Sequence, residues 1–117
     1  MKYNKSSLLW LLQRISAVLI FSALGAHIWK VHYVELGQPI LYAGVALRLK
    51  DVMTLALDSS ILFLGLFHGL NGVRMVALDY DFLKKHDRLI SWLLVIVGAA
   101  FFILGVRGLW AFLINIK

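Results

Sequence analysis

The chain of 117 residues contains no cysteine and a single proline, Pro39. Without cysteine there are no structural disulfides, no thiolate-ligated iron–sulfur clusters and no covalent c-type haem attachment. Any clusters used in electron transfer would have to belong to a partner. Charge is also scarce, with only 15% of residues charged. A cleavable leader is not expected: Met1 to Ser7 runs straight into an apolar stretch too long for a signal core, with no small-residue cleavage site after it. Repeats and low-complexity tracts are missing as well.

Apolar residues are abundant: 62% of the chain is hydrophobic and its mean hydropathy is +0.86. A water-soluble chain of this length cannot hide that much apolar surface in its own core. The expected solvent is therefore lipid, and the length allows one domain, 1–117. The net charge of +6 is not a nucleic-acid footprint, because the basic residues are scattered beside apolar runs, as at the ends of membrane helices.

Three runs reach spanning length, which is about 20 residues at 1.5 Å of rise each. They cover about 8–31, 52–78 and 89–114, so the expected fold is an all-α membrane protein of three transmembrane helices. The first connection holds Gly37, Pro39, Arg48, Lys50 and Asp51; the second, Asp79 to Arg88, is short and highly charged. With the N-terminus in the cytoplasm, Lys2, Lys5, Lys84, Lys85 and Arg88 gather inside, with Arg14 and Arg74 near helix ends on the same side. Lys30, Arg48, Lys50, Arg107 and Lys117 then lie outside, a modest positive-inside bias. Trp10, Trp29, Tyr33, Tyr80, Trp92 and Trp110 near the run ends suit interfacial belts. Gly65 and Gly69 form a small-xxx-small pair that predicts close helix approach. Three helices make a thin bundle, which points to a partner in the membrane. A bacterial or archaeal cytoplasmic membrane is the simplest address.

The second run carries the chemistry. Asp58 and Asp79 bracket it, about 31 Å apart in helix rise, and His68 lies ten residues from one and eleven from the other. An ionisable side chain at that depth is costly and usually functional. Gly72, Met75 and Asp79 share its face, and Gly65 and Gly72, one turn either side, leave that face nearly bare. A flat macrocycle with the imidazole as axial ligand would need such clearance; a hydrogen bond to a neighbouring helix would account for the histidine equally. In the first run, Gln13, Arg14 and Ser16 lie on the same membrane side as Asp79. Arg14 either neutralises a propionate or quinone oxygen or snorkels to the headgroups. His27 lies about 19 Å of rise from Arg14, so an intrachain bis-histidine site is conceivable, though a polar residue near the outer interface is the simpler account. His32 and His86 fall in connections and receive no role. A different class of function, a small proton or ion pathway, would use Asp58, His68 and Asp79.

The stretch Phe67-His68-Gly-Leu-Asn71-Gly72-Val-Arg74-Met-Val-Ala-Leu-Asp79-Tyr80 resembles the cytochrome b membrane anchor subunits of succinate dehydrogenase, respiratory complex II. There a motif of the form H-G-x-N-G-x-R, followed by D-Y, occurs in the second helix. Leu12-Gln13-Arg14-Ile15-Ser16-Ala17-Val18 is similar to the family's R-I/V-S-G/A start of the first helix. The Asp79-Tyr80 pair and the short lead before the first helix look most like the small hydrophobic anchor, one of the two membrane chains of such complexes. The resemblance implies haem b shared with a second membrane anchor subunit, His68 being this chain's axial ligand to the haem iron. It also implies a menaquinone or ubiquinone site with Tyr80 on a quinone carbonyl and Asp79 beside it. Arg14 would lie near the propionates and the quinone, and Arg74 near a propionate. Some members of the family lack haem and others carry two, which keeps His27 as a candidate second haem ligand. An iron–sulfur subunit and a flavoprotein subunit would complete the complex, with the chain inactive alone.

Overall fold

The computed structural model describes residues 5–33 and 41–114. Its elements in chain order are α1 (Lys5–Ile28), a π-helical turn (Trp29–Tyr33), α2 (Tyr42–Arg48), α3 (Val52–Leu78), α4 (Asp81–Lys84) and α5 (Asp87–Ile114). No strand occurs among the described residues. Three helices are long and apolar enough to cross a membrane: α1 with its π-helical turn, α3 and α5. The chain is a multi-pass, all-α membrane protein. The expected spans are found with small extensions, since α1 begins at Lys5 rather than near Leu8 and α5 at Asp87 rather than near Leu89. Both extensions add polar residues that one more helical turn carries out of the apolar layer.

The first connection holds a helix that hydropathy did not predict. α2 starts after Leu41 and ends in a turn through Leu49 that leads directly to α3. Asp51 caps α3: its carboxylate accepts from the backbone N–H of Met53 and of Thr54, at 3.3 and 3.2 Å. This satisfies donors that the first helical turn cannot. Lys30 Nζ donates to Asp51 Oδ2 at 2.7 Å and to Thr54 Oγ1 at 2.5 Å, tying the end of α1 to the start of α3. The Lys30 ammonium, followed by the Thr54 hydroxyl, holds the Asp51 carboxyl well below the usual carboxylate range.

α3 is the central helix and packs against both α1 and α5. The buried residues reverse the pattern of a soluble core. Among the described residues only Leu49 and Leu55 are buried apolar side chains, whereas Ser16, Thr54 and Asn71 are buried and polar. The large apolar side chains face outward, including Phe21 at 82% and Ile114 at 77% exposure. In lipid this arrangement is stable, because tails solvate the apolar surface and polar groups must find partners between the helices.

Glycines set the spacing, but not the pair expected. Nothing lies within 4 Å of a Cβ built on Gly65 or Gly69, so neither supports helix approach within this chain. The close contacts are instead at Gly98 and Gly105 of α5. A Cβ there would lie 2.8 Å from Leu70 Cδ1 and 2.5 Å from Leu62 Cδ2 of α3. Spacing within α3 could not reveal this, because the partner helix decides which glycine is covered.

Candidate functional site: the histidine between α1 and α3

α1 and α3 run antiparallel, and their contact is a ladder of polar groups. The residues that take part from α1 (Leu9, Gln13, Ser16, His27) and from the π-helical turn after it (Lys30) recur at helical spacing on one face. Leu9 and Gln13 meet Asn71; Gln13 and Ser16 meet His68; His27 meets Asp58; Lys30 meets Thr54 and Asp51. Each rung satisfies groups that lipid could not.

His68 sits at the centre of the rung it forms with Gln13 and Ser16. Its Nδ1 lies 3.0 Å from Ser16 Oγ, and the Ser16 hydroxyl donates to the backbone carbonyl of Gln13 at 2.9 Å. Gln13 Nε2 donates to the His68 carbonyl at 3.0 Å, and Gln13 Oε1 accepts from Asn71 Nδ2 at 2.8 Å. Asn71 Nδ2 also reaches the Leu9 carbonyl at 3.4 Å. His68 Nε2 has no hydrogen-bond partner among the described residues. Beside it the flank of α3 at Gly65 and Gly69 is open.

Gly72 has a different use from the one expected. A Cβ there would lie 3.3 Å from Gln13 Nε2, so the missing side chain makes room for Gln13, not for a macrocycle. The clearance beside His68 comes from Gly65, together with Gly69.

Arg14 does not join this cluster. Two residues from Ser16, it is turned about 160° round α1. It is exposed, with its guanidinium stacked over the Trp10 ring at 4.2 Å from the centroid. Arg74 is tied to α5, with Nε donating to Ser91 Oγ at 2.8 Å and Nη2 to Asp87 Oδ1 at 2.6 Å. It lines an apolar groove of about 490 Å³ in which Phe63, Phe67 and Leu70 of α3 face Gly98 and Phe102 of α5. Asp79 and Tyr80 are exposed at the end of α3; Asp79 closes that helix and Tyr80 precedes α4, its ring 6.0 Å from that of Phe82.

His27 is occupied elsewhere, its Nδ1 2.7 Å from Asp58 Oδ1. Asp58 lies ten residues from His68, about 15 Å along α3, so the two histidines occupy different rungs. The same spacing separates the members of the ion-pathway alternative. No hydrogen-bonded chain among the described residues joins Asp58, His68 and Asp79. His32 and His86 are exposed.

Chemically the site is one imidazole at mid-span with one nitrogen held and the other bare. No group of three His, Cys, Asp or Glu side chains that could bind a metal ion occurs among the described residues. A haem iron does not need one, because the macrocycle supplies four nitrogens and the protein only axial ligands. The residues present fit that group on two observations: the free Nε2 and the glycine flank that any larger side chain would fill. His68, Gln13 and Ser16 stand out in the sequence, but nothing there joins them, and Asn71 stands out only within the motif. The available signal was the shared α1 spacing of Leu9, Gln13 and Ser16.

No curated protein matches the chain. Residues 1–107 match a family described as succinate dehydrogenase/fumarate reductase transmembrane subunit.

Proposed function

The chain belongs to the succinate dehydrogenase/fumarate reductase transmembrane subunit family, and from that premise we propose that it is the small haem b- and quinone-binding anchor of a succinate:quinone oxidoreductase. It would hold a flavoprotein and an iron–sulfur subunit at a bacterial or archaeal cytoplasmic membrane, with its N-terminus inside. The observation that carries the reading is His68, with Nδ1 held by Ser16, Nε2 free and the adjacent flank of α3 bare at Gly65 and Gly69. An open flank at mid-membrane is a surface for a cofactor shared with a second anchor subunit, which three helices alone do not enclose. Haem bound there supplies a one-electron couple inside the hydrocarbon layer.

This chain's own residues divide the remaining roles by position. Tyr80, exposed at the end of α3, offers a hydroxyl that can donate to a quinone carbonyl, and the adjacent Asp79 carboxylate can accept and pass on a proton. Both lie at the membrane edge that would face the soluble subunits. Arg14, exposed and always cationic, is available to a propionate or quinone oxygen on the outer face of α1, where a second anchor would pack. Arg74 already has Asp87 as its counter-ion, so a propionate there would have to share it. His27 is the weakest candidate, because Asp58 holds one of its two nitrogens.

The test is a reduced-minus-oxidised spectrum of the purified complex carrying His68→Ala. With all subunits assembled, loss of the b-type band is expected. An unchanged band would remove the ligand assignment and with it the reading.

A further inference from the structure

Ser16 is the one buried residue of α1, at 3% exposure. Its hydroxyl carries one proton and two lone pairs. That proton is donated to the Gln13 carbonyl, in the back-bonded geometry usual for a serine in a helix. The oxygen therefore meets His68 Nδ1 as an acceptor, at 3.0 Å. A nitrogen facing an acceptor must carry the hydrogen, which places the imidazole proton on Nδ1 and leaves the lone pair on Nε2. The backbone beneath the ring is fixed as well, since Gln13 Nε2 donates to the His68 carbonyl.

We propose that Ser16 is a positioning residue: it holds the His68 ring in one orientation and keeps its proton on Nδ1, so that Nε2 is presented as an iron ligand. This rests on the reading of His68 as the axial histidine. The partner of a ligating imidazole's second nitrogen fixes the tautomer and raises ligand basicity, and losing it typically costs about 10–100-fold in metal affinity. In this chain that partner is a neutral hydroxyl supplied by the neighbouring helix. It can therefore be removed without stranding a charge in the membrane.

The experiment compares Ser16→Ala, Ser16→Thr and Ser16→Val in the purified complex. Readouts are haem content, the low-spin haem resonance signal and the haem midpoint potential. Threonine keeps the hydroxyl; valine has the same shape without it. Loss of the hydroxyl lowers ligand basicity and weakens the ferric form more than the ferrous. The expected result is therefore a raised midpoint in Ala and Val, about 59 mV for each tenfold difference between the two forms. Thr should stay at the wild-type value. If Ala does not assemble, the Thr and Val pair decides by the same criterion. Equal midpoints and signals in Thr and Val overturn the proposal. Where His68→Ala still abolishes the band, that outcome leaves the haem reading standing. A band that survives His68→Ala removes both.

Discussion

The contact between α1 and α3 should be measurable as a coupling between Gln13 and Asn71. In lipid there is no hydrophobic drive to bring two helices together, so interhelical hydrogen bonds and close packing have to do so. Asn71 is 7% exposed and donates to Gln13 Oε1 at 2.8 Å. Such bonds between membrane helices average about 0.6 kcal/mol in double-mutant cycles and reach about 1.7 kcal/mol. The Asn71–Gln13 bond is short and enclosed, so a coupling near 1 kcal/mol is expected. Asn71→Leu keeps the volume and leaves Gln13 Oε1 without its donor, at a cost of about 1–2 kcal/mol. Gln13→Leu also breaks the bond to the His68 carbonyl and should cost at least as much. The double variant strands neither partner of the Asn71–Gln13 bond, so its cost should fall short of the sum of the two by about 1 kcal/mol. The assay is reversible unfolding of the full chain in mixed micelles, followed by helicity. Additivity to within about 0.3 kcal/mol would mean the two side chains do not hold the helices together, and the ladder would lose its energetic meaning.

Four further outcomes follow from other contacts of the fold. Gly105→Ala places a methyl 2.5 Å from Leu62 Cδ2, with two more Leu62 atoms within 3.5 Å; it should destabilise by about 1–3 kcal/mol. Gly108→Ala, which meets nothing within 4 Å, should be neutral or slightly stabilising in the same assay. Because Lys30 depresses Asp51, the cap it forms stabilises the fold at neutral pH. That contribution is fully present above the ordinary carboxylate range and is lost progressively as pH falls through that range toward the lowered native value. Thermal unfolding across an acid series should show that limb, and Asp51→Asn should lack it. Asp87→Asn should cost more than the Arg74→Met, Asp87→Asn pair, because the single change leaves the largely buried Arg74 guanidinium without its anion. Melting temperatures of the three variants decide it.

Much of this protein could be read one residue at a time. Depth along a helix follows from counting at 1.5 Å per residue, so His68 was placed at mid-span from its distance to Asp58 and Asp79. Span limits were legible because apolar length needs no partner. Rotation about the helix axis was not legible in the same way. Arg14 and Ser16 are two residues apart in one motif, yet Ser16 is buried against His68 and Arg14 is exposed on Trp10. The glycines show the same limit: Gly65, Gly69 and Gly72 are alike in α3, but only Gly72 lies under a side chain of the neighbouring helix.

The sequence by itself therefore determined the solvent, the three spans and the histidine at their middle, together with the family motif around it. Those depend on composition and axial spacing, which survive without knowing what packs against what. Only the tertiary structure decided that Ser16 and Gln13 hold His68, that Asn71 closes the rung, and that His27 belongs to Asp58. These pairings join residues between 31 and 58 positions apart. Which faces meet depends on how two helices rotate to satisfy buried polar groups, and neither helix carries that information alone.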